Sequence, residues 1–83
     1  MNVVTLVGKV SKSLDEKTRF IEVINILSSD DKNLLIPVRY WTNDSHNFFL
    51  TIELGKLLIV RGRIDNDDKI GLFVVAEQIT VVK

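Results

Sequence analysis

The sequence predicts an all-β fold in which five short strands form a small barrel or sandwich. Three observations carry this reading. Five runs rich in Val, Ile and Leu recur along the 83 residues, short polar clusters with turn chemistry separate them, and no internal repeat or low-complexity tract interrupts the pattern. Within the runs, residues alternate with the period of two that sends successive side chains to opposite faces of a strand.

The first run, Asn2 to Val10, is Val-rich and gives way to the turn cluster SKSLDEKT. The second, Arg19 to Leu27, ends at SSDDKN. The third, Leu34 to Trp41, puts Ile36, Val38 and Tyr40 on one face, with Leu35, Pro37, Arg39 and Trp41 on the other. Thr42 to Gly55 fits two patterns. Asp44 or Ser45 can cap a helix that carries Phe48, Phe49 and Ile52 on one face and stops at a left-handed Gly55, whereas Leu50, Ile52 and Leu54 alternate like a strand. A loop with at most one short helix is expected, because the polar TNDSHN stretch uses half the segment, and its aromatics are expected to close one end of the barrel.

The fourth run, Leu57 to Ile64, points Leu58, Val60, Gly62 and Ile64 inward and Leu57, Ile59, Arg61 and Arg63 outward. The last, Leu72 to Val82, follows the cluster DNDDKIG. Phe20 and Phe73 stand in apolar runs and read as core. Of the two, Phe73 is the better candidate for exposure, since Leu72 and Val74 share the opposite parity. Tyr40 reads as core, and the scattered glycines read as barrel bends or close backbone approaches.

Length and composition narrow the function. One domain over residues 1–83 is expected, and a chain this short buries only about 60 to 65 percent of its unfolded surface. Cysteine is absent, which excludes disulfides and thiolate metal sites. No uncharged stretch approaches the roughly 18 residues of a membrane span, and the opening MNVV has neither a basic region nor an apolar export segment. A cytoplasmic protein without membrane association is expected.

Eleven basic residues balance eleven acidic ones, so no overall positive field draws the chain to nucleic acid. The distribution is uneven, however. Acids gather at the turns, as Asp15 and Glu16, Asp30 and Asp31, and Asp65 with Asp67 and Asp68, while Lys9, Arg19, Arg39, Arg61 and Arg63 lie inside the strand-like runs. Arg39 and Trp41 share a face, and Arg61 and Arg63 project together from the fourth run toward what is expected to be a common surface. Cations for phosphates and a π-face for unstacked bases are what sequence-tolerant single-strand binding requires.

Catalysis finds no such support. His46, the one histidine, sits in a polar loop without ligand-spaced partners. Ser45 beside it lacks an orienting third group, and the glycines have no phosphate-loop spacing. No enzyme activity, metal, cofactor or small-molecule substrate is expected.

The runs also resemble the bacterial single-stranded DNA-binding protein family along nearly the whole chain. MNVVTLVGKV is similar to the family's first strand. GKLLIVRGRI is similar to its fourth, with the V-x-G-x-[LI] pattern carried by Val60, Gly62 and Ile64, and FVVAEQITVV is similar to its last. The primosomal replication protein N branch is equally close, through Ala76, Glu77, Gln78 and Ile79 and through the step Pro37–Val38 followed by a long loop to Gly55. The resemblance implies a five-stranded OB-fold Greek-key barrel. It further implies homo-oligomerisation partly through the first strand, and single-stranded DNA laid over aromatic and basic residues of the barrel face in DNA replication, repair or recombination. On that basis Trp41 is the stacking aromatic, Arg39 a phosphate contact, and Lys9 the position after the first-strand glycine; Arg61, Arg63 and Phe73, read from strand parity, complete the expected surface.

The sequence departs from the family where binding strength is set. Leu35 stands where an earlier aromatic is usual, the last hairpin is a short acidic DNDDK, and the acidic tail ending in phenylalanine is missing, so weaker binding without tail-mediated recruitment is expected. Trp41 reads equally as a core cap. Arg61 and Arg63 also fit solvated charges that blunt a strand edge. RNA is a second ligand for such a surface, since stacking does not distinguish sugars. A protein-interaction module holding a replication partner is the competing function. A homodimer, in preference to a tetramer, is expected because an apolar first strand would leave an edge to cover.

Overall fold

A computed structural model describes residues 2–23, 34–41 and 48–82. The strands are β1 (Val4–Ser13), β2 (Thr18–Val23), β3 (Leu34–Arg39), β4 (Leu57–Asp67) and β5 (Gly71–Val81), with a four-residue helix α1 (Phe48–Thr51) between β3 and β4. They close into a barrel in the order β1-β2-β3-β5-β4, antiparallel except for the β3–β5 pair. Among the described residues the all-β expectation and that of at most one short helix between β3 and β4 both hold. Residues 24–27 of the second run lie outside the described residues, as do the caps at Asp44 and Ser45 and the histidine at 46. Among the described residues no helix is long and apolar enough to cross a membrane.

Alternation builds the interior. Val10, Ile21, Val38, Leu58, Val60, Val74 and Ala76 line it from all five strands, and Phe49 of α1 seats among them, fully buried. The Phe49 ring meets Tyr40 edge to face, centroids 6.3 Å apart at 66°, so the helix closes one end of the barrel and Tyr40 joins the core as its parity demands.

Gly62 is the residue that lets β4 follow the barrel wall. At the β4–β5 bulge between Arg61 and Gly62, a Cβ would run into the carbonyl oxygen of Val75. Gly55 is left-handed at φ 87°, but it lies four positions beyond the helix rather than capping it. It swings the chain into β4 and donates its N–H to the carbonyl of Val10 at 2.9 Å.

Two expectations are corrected, and Arg19, given no face by the sequence, is placed. Ile64 has inward parity but is 44% exposed, because it lies past the last buried layer of β4, beside Val4, Leu6, Ile36 and Leu72. β1 is not an edge strand. It pairs with β4 along Val4 to Lys9 and, among the described residues, with β2 at Lys9, Val10 and Ser13, so a strand flanks it on each side of the closed barrel. Arg19 is a buried cation. It has the parity of Ile21, is 4% exposed, and donates to the carbonyls of Phe49 (3.1 Å), Ile52 (2.6 Å) and Ser11 (3.1 Å). The guanidinium thus ties α1 to β1 from within, and desolvation by burial pulls its pKa below the ordinary arginine value.

Candidate nucleic-acid interface

The outer face of β2 and β3 carries the aromatic part of the expected surface. Cross-strand register sets Thr18 beside Arg39 and Phe20 beside Pro37, with Trp41 two residues past the end of β3. Trp41 is 58% exposed, so it is a surface ring and not a core cap. Phe20 is half-buried on this same outer face, opposite in parity to the buried Ile21, which corrects its reading as core. Each ring has a lysine for company, Lys12 Nζ 5.7 Å from the Phe20 centroid and Lys17 Nζ 5.7 Å from that of Trp41. Phe20 and Trp41 are four residues apart in register along β3, roughly 13 Å at about 3.3 Å per residue, and Arg39 lies between them.

Arg39 holds this face together. Its Nε donates to the Thr18 hydroxyl at 2.9 Å, its Nη2 lies 3.7 Å from Asp15 of the β1–β2 turn, and its Nη1 lies 3.7 Å from Asp67 of the β4–β5 hairpin. Its guanidinium also covers the Phe73 ring at 4.6 Å. Phe73 is therefore only 4% exposed, and its expected role as an exposed platform is corrected. Its parity is outward as expected, but the arginine and the sheet leave it no open face. The β1–β2 turn is fixed to the end of β3 by a hydrogen bond from the Tyr40 N–H to the Lys17 carbonyl at 3.0 Å. This brings Asp15, Glu16 and Lys17 around a groove of about 440 Å³ shared with Arg39 and Trp41.

Both aspartates are conditioned by their own turns. The backbone N–H of Lys17, donating to Asp15 at 2.8 Å, is the main cause that lowers the Asp15 pKa, and Thr18 and Arg39 lower it further. At Asp67 the N–H of Lys69 plays the same part at 2.8 Å, with Arg39 again contributing. Both carboxyls are thus held below the ordinary aspartate value, as anions facing Arg39.

The remaining expected cations lie on β1 and β4. Arg63 and Arg39 both pair with Val75, one from each side, so the two arginines flank it across two strand spacings of about 4.8 Å. Val75 is outside the core cluster yet only 8% exposed between them. This row joins the β3 face to β4. Arg61 sits beyond the bulge, between Thr5 of β1 and Gln78 of β5, and lines a groove of about 540 Å³ with Arg63, Val3 and Glu77. Asn2 closes that groove's rim, accepting from the Ile64 N–H at 2.6 Å.

Lys9 is set apart. It is exposed beside Glu22 of β2 and Leu57 of β4, and a row formed by Val7 and Ile59 separates it from Arg61. The structure therefore brings Arg39, Trp41, Phe73 and Arg63 to one continuous face, with Arg61 at its margin, and leaves Lys9 outside it.

A closed five-stranded barrel with one helix between its third and fourth strands defines the OB-fold class. No protein-family model and no curated protein matches the sequence. Solved structures do. The N-terminal domain of PriB protein from Thermoanaerobacter tencongensis, described as dimeric, aligns over 99% of this chain and 97% of its own with TM-score 0.72 and 24% identity. The mitochondrial single-stranded DNA binding protein Rim1 of S. cerevisiae aligns over 99% and 94%, with TM-score 0.68 and 17% identity. A chain of the S. pombe Stn1-ten1 complex is covered to 60% by the whole of this one, with TM-score 0.69 and 14% identity. At these identities the likeness is one of fold.

Proposed function

We propose that the chain binds single-stranded DNA without sequence preference and has no catalytic activity of its own. The observation that carries the reading is the outer face of β2 and β3, where the exposed Trp41 and the half-exposed Phe20 flank Arg39, each ring with a lysine 5.7 Å away. Bases stack on the rings, and phosphates meet the lysines and arginines. The strand runs from this face across the Arg39–Val75–Arg63 row to Arg61, with Lys9 contributing at most peripherally. Likeness in fold to a single-stranded DNA binding protein supports the reading, as does the resemblance of the strand motifs to that family.

Titration with oligo-dT at low salt tests it, because Trp41 is the sole tryptophan and its emission reports the surface directly. Quenching with a mobility shift at micromolar protein is expected, and the absence of both would leave the proposal without support. Competition between oligo-dT and oligo-U determines whether RNA serves equally.

A homodimer fits the outer face of β1 and β4, where Val3, Val7, Leu57 and Ile59 are between 38% and 62% exposed. Likeness to a dimeric domain supports it. A monomer by light scattering at tens of micromolar removes this part.

A second reading is a protein-interaction module in a replication complex. It is favoured by the zero net charge, by the two carboxylates already facing Arg39, and by the fold's presence in a two-protein complex. Arg61→Ala with Arg63→Ala separates the two readings. Lost oligonucleotide binding supports the first, and unchanged binding with loss of a co-purifying partner supports the second.

A further inference from the structure

We infer that Asp15 and Asp67 form an internal anionic mask over Arg39, so that a phosphate of single-stranded DNA reaches this cation only by displacing the protein's own carboxylates. The inference rests on the proposed single-strand binding and concerns how that surface is regulated.

The two acids come from opposite ends of the chain and from different turns, yet each meets a separate Nη nitrogen of one guanidinium at 3.7 Å. Their geometry is the same at both places. Oδ1 of Asp15 accepts the N–H of Lys17 and Oδ1 of Asp67 accepts that of Lys69, which leaves Oδ2 of each to face Arg39. Each turn thus presets its carboxylate, and little rotamer freedom is lost when the ion pair forms.

With Nε on Thr18 and the planar face on Phe73, every nitrogen of Arg39 is engaged and its side chain is only 16% exposed. The carboxylates are the accessible members, at 48% and 31%. A separation of 3.7 Å exceeds the roughly 2.7–2.9 Å of a charge-assisted hydrogen bond, so the pairs are loose enough to exchange. A phosphate that bonds the guanidinium bidentately makes the closer contact. The mask therefore raises the threshold for binding and does not abolish it. It occupies the same surface that the neutral overall charge already leaves without long-range attraction.

The test is a double-mutant cycle read by the anisotropy of fluorescein-labelled oligo-dT. Asp15→Asn with Asp67→Asn removes both charges, while the amide oxygens still accept from Lys17 and Lys69, so the turns are kept. Asp65→Asn with Asp68→Asn removes the same amount of charge from the hairpin that carries Asp67, at positions that form no ion pair with Arg39 among the described residues. The first pair is expected to tighten binding by about two- to fivefold beyond the second, and the gain is expected to vanish in an Arg39→Gln background. Equal gains from both pairs, or a gain that persists in Arg39→Gln, would overturn the mask while leaving the binding proposal intact. Absence of binding by both the unmodified chain and the Asp15/Asp67 variant would overturn both.

Discussion

Arg39 lies over the ring of Phe73 with its guanidinium carbon 4.6 Å from the ring centroid, and this contact turns an outward-facing aromatic into a buried one. The arginine is thus structural as well as electrostatic. A cation over a ring contributes about 0.5–2 kcal/mol depending on its desolvation. Arg39→Ala also uncovers Phe73 and leaves the Thr18 hydroxyl without its donor. Loss of about 1–2 kcal/mol in urea unfolding is expected. Arg39→Lys should recover only part of it, because an ammonium cannot both stack flat on Phe73 and reach Thr18. Full recovery by lysine would show that charge alone is needed.

Acid stability follows from the two aspartates that face this arginine. A carboxylate whose folded pKa lies below its unfolded value stabilises the fold fully above the unfolded range, near 3.9, and loses that contribution as pH falls through the folded value. Asp15 and Asp67 are both shifted in this direction. Melting temperature should therefore be insensitive to these groups between about pH 5 and 7 and fall below about pH 4. Asp15→Asn with Asp67→Asn should flatten that acid limb. An unchanged limb would mean that the turns and Arg39 do not favour the ionised carboxylates.

The same arginine shows where sequence reading stopped. The alternation of β4 was legible because its outer face is solvated, and Leu58 and Val60 are fully buried where the pattern puts them. Phe20 reads as core by residue type, although its parity, opposite to that of Arg19 and Ile21, places it on the outer face. The signal was present, and residue type overrode it. Phe73 is different. Its parity was read correctly, but its burial depends on the parallel pairing of β3 with β5 and on an arginine 34 positions away, which no local pattern contains. The pairing of Asp15 and Asp67 with Arg39 is equally non-local, and turn chemistry predicts only that these acids occupy turns.

Arg19 gives the sharpest stability prediction. Its two Nη groups satisfy three carbonyls from α1, the residue after it, and β1. Arg19→Met keeps the apolar stem but leaves those acceptors buried and unpaired. Each hydrogen bond to a charged group contributes about 1.5–3 kcal/mol, but relief of desolvating the charge offsets part of the loss. Net destabilisation of about 2–4 kcal/mol by urea unfolding is expected, with the end of the barrel closed by Phe49 the first region to lose amide protection. The desolvated charge argues the other way, since among the described residues the Nε has no hydrogen-bond partner. A methionine variant as stable as the unmodified chain would show that the apolar stem supplies the packing and the carbonyls find other donors.

Stacking and charge separate in the salt dependence of binding, which gives the surface its most discriminating test. Trp41→Ala and Phe20→Ala each remove a π-face, worth about 1–3 kcal/mol per stacked base, or about 5- to 150-fold in affinity for oligo-dT. Neither changes the number of phosphates neutralised, so the slope of log affinity against log salt should stay the same. Arg61→Ala and Arg63→Ala should do the opposite. Each removes about 0.7 from the slope, because single-stranded DNA releases roughly that many counterions per neutralised phosphate. Arg63 should have the larger effect on affinity, since it shares the Val75 row with Arg39 whereas Arg61 lies beyond the bulge. Lys9→Ala should alter neither slope nor affinity appreciably, because the row of Val7 and Ile59 parts it from that surface. A Lys9 variant that lost as much slope as the Arg63 variant would move the strand's path off the β2–β3 face and onto β1.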